Sequence, residues 1–224
     1  MTETIAIIGG TGNLGFGLAV RLGLAGFSVC IGSRDGQRAE EAATRAQELV
    51  PAGSFAGCAN PDAAAEAKRM VVVTVPFASQ LATLKGLRET WRSDHVVLDG
   101  TVPLATAVGG RPTQLIQPWA GSAAEQARSV LPEHVRLVSG LHTISAAVLA
   151  DVDEPLAQDT LICGDNAPAK AVVTELIGAI EGLRVVDAGP LAASRMVEGI
   201  TPLLIGINMR NKTHAGIQLT NLPV

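Results

Sequence analysis

Residues 4–15 constrain the fold more than any other part of the chain, because they combine a buried strand, a glycine-rich turn and a helix start. Residues 5–8 are apolar and mostly β-branched, which is typical of a parallel strand covered on both faces. Gly10, Gly12 and Gly15 follow in the spacing G-x-G-x-x-G. There the first glycine allows a tight turn, the second lets backbone approach a pyrophosphate, and the third lets the helix pack on the strand. This order favours a dinucleotide site over a glycine-rich turn without a ligand.

The end of the second predicted strand, residues 27–31, indicates which dinucleotide is bound. Ser33, Arg34 and Arg38 stand where an NAD enzyme usually has an acidic residue for the ribose hydroxyls. A hydroxyl and two guanidinium groups suit a 2′-phosphate. We therefore predict NADP(H) as the cofactor. The alternative is a solvated helix start in which Asp35 pairs with one of the arginines.

Alternating strand-like and helix-like segments predict an α/β fold, a Rossmann doubly wound parallel sheet with a small C-terminal helical part. We place the NADP-binding domain at residues 1–188 and the helical segment, which completes the cleft, at residues 189–224. Residues 191–211 have a helical pattern with Pro202 inside it, which should kink or break the helix. Residues 104–121 are predicted to form an irregular loop of the kind that often covers a site.

Charge and composition favour a small-molecule substrate over nucleic acid or a membrane. The net charge is −4 and no cluster of lysine and arginine is present. No segment reaches the ~20 apolar residues that span a bilayer, and no leader precedes the first strand, so a cytoplasmic location is predicted. Cys30, Cys58 and Cys163 are far apart in sequence and are interpreted as core thiols. Neither they nor the histidines have the spacing of a metal site, so no metal is predicted.

Missing residue types limit the chemistry. The chain contains no tyrosine, which excludes the Tyr/Lys proton-donor pair of short-chain dehydrogenases. Asp99 is interpreted as a structural group hydrogen-bonded to a neighbouring loop. His142 is interpreted as a structural histidine bonded to a loop carbonyl, with a proton relay as the alternative. Phe77 either packs on the cofactor or covers the core. A site that can hold a nicotinamide but has few acid or base groups suits hydride transfer in which the protein orients two rings and excludes water.

Short motifs along the whole chain resemble the NADPH-dependent reductases of the deazaflavin coenzyme F420. They occur in the family's order: GGTGNLG at 9–15, GSR at 32–34, TVP at 74–76, GSAA at 121–124, LHTI at 141–144, CGD at 163–165, GLR at 182–184, DAGPL at 187–191, SR at 194–195 and TPL at 201–203. The resemblance implies a two-part protein, usually a homodimer, that binds NADP on the strand ends and stacks F420 over the nicotinamide.

The resemblance also implies roles for single residues, none of them a catalytic acid or base. The cofactor-binding set comprises Gly10, Thr11, Gly12, Asn13 and Leu14 at the pyrophosphate, Ser33, Arg34 and Arg38 at the 2′-phosphate, Val75, Pro76 and Val102 along the cofactor, and Ile144 and Ala146 at the nicotinamide. Arg195 and Thr201 match a part of the family pattern near the hydride acceptor.

Three functions remain open from the sequence. The first is reversible hydride transfer between NADP(H) and coenzyme F420. The second is a paralogue that reduces another flat acceptor, such as a flavin, a pterin or a ferric chelate. Phe77 and Ser145, where the family tends to have Trp and Pro, and the loop at 104–119 leave this possibility open. The third is an NADP-sensing module without turnover.

Overall fold

A six-stranded parallel sheet forms the centre of the computed structural model, which describes residues 3–222. In chain order its strands are β1 (Thr4–Ile8), β2 (Ser28–Ser33), β3 (Ser54–Ala59), β4 (Met70–Val73), β5 (Val96–Asp99) and β6 (Arg136–Ser139). They lie in the order β3-β2-β1-β4-β5-β6, which is the Rossmann order, so the predicted fold class is confirmed. The strand order reverses between β1 and β4, and a ligand crevice is expected at their carboxyl ends.

Helices cover both faces of this sheet. They are α1 (Asn13–Leu24), α2 (Gly36–Leu49), α3 (Asn60–Glu66), α4 (Phe77–Gly86), α5 (Ala123–Arg128), α6 (Ala146–Ala150), α7 (Ala167–Gly178), α8 (Ser194–Val197) and α9 (Ile200–Asn211). Side chains of β1 alternate between two cores: Ile5 and Ile7 face one, and Ala6 and Ile8 face the other. Burial on both faces explains why β1 is apolar throughout. Among the helices within residues 3–222, none has the length and apolar character needed to cross a membrane.

The last two strands form a separate sheet. β7 (Gln158–Ile162) and β8 (Leu183–Asp187) pair in parallel with each other. Ser139, at the end of β6, forms an antiparallel bridge with Cys163 through N···O distances of 2.8 and 3.0 Å. The second sheet thus adjoins the open edge of the first. The alternating segments of the sequence predict one parallel sheet and do not indicate this separation, because strand pairing depends on contacts between residues distant in the chain.

The C-terminal helical pattern is interrupted, as predicted. A 3₁₀ helix at Leu191–Ala193 runs into α8, and the chain turns at Glu198 and Gly199 before α9 begins. Pro202 lies in the first turn of α9, where a missing N–H removes no intrahelical hydrogen bond. The interruption therefore precedes the proline instead of coinciding with it.

All three cysteines are free thiols, as predicted. Cys30 and Cys58, distant in sequence, lie on the adjacent strands β2 and β3 with their Sγ atoms 3.0 Å apart. Burial raises the pKa of the Cys30 thiol well above its usual value, and the neighbouring Cys58 thiol raises it further. Burial also raises the pKa of the Cys58 thiol, so both thiols stay protonated at neutral pH.

The two tryptophans occupy opposite environments. Trp91 is 7% exposed, and its ring meets the His95 ring edge-on with 6.2 Å between the ring centroids. Trp119 is 76% exposed in the segment that precedes α5. Only Trp91 contributes to the core.

Candidate functional site

A cavity of about 870 Å³ lies along the carboxyl ends of the parallel strands. This is the volume of a cofactor-sized site, at the position expected for a ligand crevice in this fold. Its walls come from the glycine-rich turn, the ends of β2, β4 and β5, and the start of α9. Lining residues that the sequence reasoning named are Thr11, Gly12, Asn13, Leu14, Ser33, Arg34, Arg38, Val75, Pro76, Val102 and Thr201.

Three different physical reasons explain why glycine stands at positions in and next to the turn. Gly9, with φ +77°, supplies the left-handed residue of the turn, a role predicted for Gly10. Gly10 lies behind the cavity wall, where a Cβ would come within 2.8 Å of the Ile7 carbonyl oxygen. A Cβ on Gly15 would lie 2.5 Å from Thr74 Oγ1, so this glycine permits the predicted helix packing. A Cβ on Gly12 meets only the Gly9 oxygen, at 3.4 Å. The fold tolerates a side chain at Gly12, so the space in front of it is free for a ligand.

The N-terminus of α1 faces this free space. Gly12 is the N-cap, and no described side chain caps the helix. The first turn of a helix has N–H groups without intrahelical partners and carries the positive end of the helix dipole. Thr11, Asn13 and Leu14 line the cavity around it. The arrangement fits a phosphate group.

The end of the cavity at which the sequence predicts a 2′-phosphate has two exposed guanidinium groups, those of Arg34 and Arg38. Within residues 3–222, neither Arg34 nor Arg38 forms an ion pair or a hydrogen bond through its side chain, and both are exposed at the cavity. Asp35, the alternative partner, instead caps α2 by accepting hydrogen bonds from the backbone N–H groups of Gln37 (3.0 Å) and Arg38 (3.4 Å). Ser33 Oγ accepts a hydrogen bond from the Asp35 N–H at 3.3 Å. The structure therefore disfavours the alternative in which Asp35 neutralises an arginine.

A second cavity, of about 220 Å³, adjoins the first at Thr201. Ile144 and Ala146 line it together with α9 residues Leu204 and Ile205. Thr201 borders both cavities, and its hydroxyl donates a hydrogen bond to the His142 carbonyl oxygen at 2.6 Å. The two residues predicted at the nicotinamide thus lie beside the large cavity, not in its wall.

Comparison with known proteins agrees with this geometry. The family described as NADP oxidoreductase coenzyme F420-dependent matches residues 4–103. The F420-dependent NADP reductase of Methanothermobacter thermautotrophicus is 44% identical over 227 residues, covering 100% of this chain and 97% of the relative. The enzyme of the same name from Methanocaldococcus jannaschii is 44% identical over 225 residues, covering 98% and 99%. The chain belongs to the F420-dependent NADP reductase family.

A solved structure extends the agreement to three dimensions. The crystal structure from Arthrobacter sp. FB24 that carries an F420-dependent NADP reductase assignment superposes with a TM-score of 0.79 at 25% identity. The alignment covers 99% of this chain and 100% of that one. The similarity in fold thus extends over the C-terminal helices as well as the sheet.

Several residues that line the large cavity received no site role in the sequence analysis, although Gly9 and Thr74 lie within the motifs quoted there. They are Gly9, Asn60, Thr74, Ser79, Thr83 and Thr101. Asn60 is buried, and its Oδ1 accepts a hydrogen bond from the Gly9 N–H at 3.4 Å, which ties α3 to the glycine turn. Asn60 directly follows β3, so its place at a parallel strand end was the available signal. Phe77 lines the cavity, which supports contact with a ligand over a role as cover of the core.

His142 is buried, but it lacks the predicted hydrogen bond. Its side chain has no hydrogen-bond partner at either ring nitrogen among residues 3–222. Burial lowers the pKa of His142 to about 4, and the nearby Thr101 backbone offsets only part of this effect without reaching hydrogen-bond geometry. The ring is therefore neutral at pH 7.

Asp99 has the structural environment predicted for it. It is buried at the end of β5 and accepts hydrogen bonds from Thr101 Oγ1 and Gln80 Nε2, each at 2.6 Å. Burial raises the pKa of Asp99 to about 6, although these hydrogen bonds favour the ionised form. The Thr101 bond ties Asp99 to a residue that lines the large cavity.

Arg195 is not among the described residues that line either cavity. Its guanidinium forms a two-pronged ion pair with Glu125, at 2.7 Å for each bond, and covers Gly121, where a Cβ would lie 2.4 Å from Nε. Three residues further on, Glu198 is buried and accepts hydrogen bonds from the backbone N–H groups of Ala123 (2.9 Å) and Ala124 (3.0 Å) at the start of α5. Arg195 and Glu198 thus attach the C-terminal helices to α5.

Proposed function

We propose that this protein transfers a hydride reversibly between NADP(H) and coenzyme F420. The observation that carries the proposal is the junction of the two cavities at Thr201. A dinucleotide in the larger cavity and a flat acceptor in the smaller one meet at this residue. Membership of the F420-dependent NADP reductase family supports F420 as that acceptor.

The residues of the large cavity fit NADP(H). Gly12 and the first turn of α1 bind the pyrophosphate, since the space before Gly12 is free and the helix has no side-chain cap. Arg34 and Arg38 bind the 2′-phosphate, assisted by the Ser33 hydroxyl. The remaining assigned wall residues are Thr11, Asn13, Leu14, Val75, Pro76 and Val102. When bound, the cofactor supplies the hydride chemistry.

The acceptor side orients the reactants without an acid or base. Ile144 and Ala146 line the second cavity with apolar side chains, and Thr201 lies where the two cavities meet. His142 is neutral there, with a pKa of about 4. A carbonyl substrate would need a proton donor for its alkoxide, whereas a deazaflavin ring takes the hydride without one. The site therefore accelerates transfer through positioning and exclusion of water.

The test is an absorbance assay with purified protein, NADPH and one acceptor at a time. We expect rapid loss of the visible absorbance of oxidised F420, and no turnover with ketones or aldehydes. Turnover of a flavin, pterin or ferric chelate with F420 left oxidised would identify a paralogue and overturn the choice of acceptor. NADPH binding without turnover of any acceptor would identify a sensing module instead.

We also propose that the chain forms a homodimer through its C-terminal helices. Large apolar side chains are exposed along α8, α9 and the adjoining loop: Leu203 is 58% exposed, Met196 73% and Trp119 76%. Replacing Leu203 by Glu should shift sedimentation toward a monomer. Leu24→Glu is the matched control, because Leu24 is 56% exposed at the end of α1. An intact chain that sediments as a monomer at all concentrations would contradict the proposal.

The division at residue 188 is likewise part of this proposal. Residues 189–224 complete the cleft, since Thr201 borders both cavities and Glu198 binds the start of α5.

We infer a cytoplasmic location. The free thiols of Cys30 and Cys58, with their Sγ atoms 3.0 Å apart, support it because they suit a reducing compartment. Cell fractionation tests this location.

A further inference from the structure

Arg21 is a buried arginine in the last turn of α1, and its hydrogen bonds go to the backbone of one other segment. The residue is 5% exposed. Its Nε donates to the Leu149 carbonyl at 3.1 Å, and Nη2 donates to the carbonyls of Val148 (3.0 Å), Glu154 (2.8 Å) and Asp151. These carbonyls lie at the end of α6 and just beyond it, where the helix dipole is negative. A buried cation therefore caps α6 from a neighbouring helix.

Gly17, one turn before Arg21, brings the two helices into contact. A Cβ on Gly17 would lie 2.8 Å from Leu149 Cβ and 2.9 Å from the Ala150 N atom. Such distances require the backbone of α6 to move. The glycine therefore allows a close approach that no other residue permits.

Alone, α6 has little stability. It spans five residues, Ala146–Ala150, and its N-cap Ser145 makes no side-chain capping bond. Helices shorter than ~12–15 residues are marginal in water without tertiary packing. The position of α6 consequently depends on its contacts with α1.

The position of α6 matters because Ala146 opens the helix and Ile144 lies two residues before it. Both residues line the second cavity. At its other end α1 begins beside Gly12, at the expected pyrophosphate site. One rigid helix thus connects the phosphate site to the wall of the acceptor site.

We propose that Arg21 and Gly17 form a clamp, called here the α1–α6 clamp, that positions Ile144 and Ala146 for hydride transfer. The inference rests on the function proposed above. Arg21 is a positioning residue, since it acts through α6. Misplacement by about 1 Å from a change far from the chemistry can cost ~100-fold in rate. Loosening the clamp should therefore slow the chemical step more than it weakens NADPH binding.

The test compares Arg21→Lys and Gly17→Ala with two matched controls. Arg128→Lys is the first, because Arg128 also donates to backbone carbonyls, those of Val135 (2.6 Å), Leu131 (2.8 Å) and Pro132 (2.6 Å), near the opposite ends of the strands. Gly86→Ala is the second, because a Cβ on Gly86 has no neighbour within 4 Å among residues 3–222. The measured quantities are the single-turnover rate from NADPH to F420, the primary deuterium isotope effect, the NADPH dissociation constant and the melting temperature.

We expect both clamp variants to lose ~10- to 100-fold in single-turnover rate. Their isotope effect on steady-state turnover should increase, and the NADPH dissociation constant should stay within about twofold of wild type. The controls should keep the wild-type rate even where they melt earlier. Clamp variants with an unchanged rate, or with a rate loss matched by the Arg128 variant at equal loss of stability, would overturn the clamp.

A second readout does not depend on the acceptor. Amide hydrogen exchange of residues 146–151 should be faster in Arg21→Lys than in wild type, with NADPH bound in both, and unchanged in Arg128→Lys. If wild type fails to reduce F420, the proposed function fails while the exchange result still decides whether Arg21 holds α6. Equal exchange in wild type and Arg21→Lys would refute the clamp whatever the acceptor.

Discussion

Replacing Arg34 by Ala should weaken NADPH binding and leave NADH binding nearly unchanged. Arg34 is exposed at the cavity and has no partner among the described residues, so its loss exposes no buried group. A hydrogen bond to a charged group contributes ~1.5–3 kcal/mol. Solvent screens an exposed contact, so we take the lower end of this range, and since every 1.4 kcal/mol is tenfold, NADPH should bind about 10-fold more weakly.

The assay is fluorescence titration of each variant with NADPH and with NADH. Arg38→Ala should show the same selectivity, and the loss should shrink as salt rises, because exposed charges are screened. Arg45→Ala is the control. Arg45 lies on α2 with Arg38, but its guanidinium stacks on the Phe16 ring, 4.4 Å from the ring centroid. Equal weakening of NADPH and NADH by Arg34→Ala would refute the 2′-phosphate role.

Three further changes test other parts of the site. Gly12→Ala should fold normally, because the added Cβ meets only the Gly9 oxygen, at 3.4 Å, among the described residues. The variant should bind NADPH ~10- to 100-fold more weakly, because the added methyl group takes space that the cofactor needs. Unchanged NADPH binding would show that no ligand occupies this space. Ala146→Leu should slow F420 turnover with little change in NADPH binding, because Ala146 lines a cavity of only about 220 Å³; unchanged kcat and KM would place the acceptor elsewhere. Burial, with smaller effects of Asp99 and Glu125, raises the pKa of Glu198 to about 8, so its contribution to stability is lost as pH rises from its unfolded pKa of about 4.5 through 8. Denaturant titrations should show this fall in wild type and a smaller one in Glu198→Gln, and identical pH profiles would contradict it.

Local chemistry explains which parts of the site were predictable. The glycine turn and the group at Ser33 and Arg34 depend on residues adjacent in sequence, so spacing alone located them. Each also lies at a strand end, and the parallel sheet brings strand ends together. Pro202 likewise predicted a break in the C-terminal helical pattern from local sequence alone, but the structure has the break at Glu198 and Gly199, before the proline.

Long-range contacts explain what was missed. Asn60 acts by bonding to Gly9, 51 residues away, and nothing near Asn60 in sequence indicates that bond. His142 was expected to bond to a carbonyl, but packing buries its ring nitrogens without a hydrogen-bond partner in the part of the chain that the structure describes. The Leu149 carbonyl of α6 accepts a hydrogen bond from Arg21, more than 120 residues earlier. The pattern of residues that neighbour each other in sequence does not indicate such long-range contacts.

The contrast between Trp91 and Trp119 gives the protein an optical signal of its own. The chain has two tryptophans and no tyrosine, so these two indoles dominate its ultraviolet fluorescence. Emission from Trp91, at 7% exposure, is blue-shifted until the core unfolds. Emission from Trp119, at 76% exposure, is red-shifted and open to collisional quenching by iodide, and it moves to the blue when another surface covers the indole.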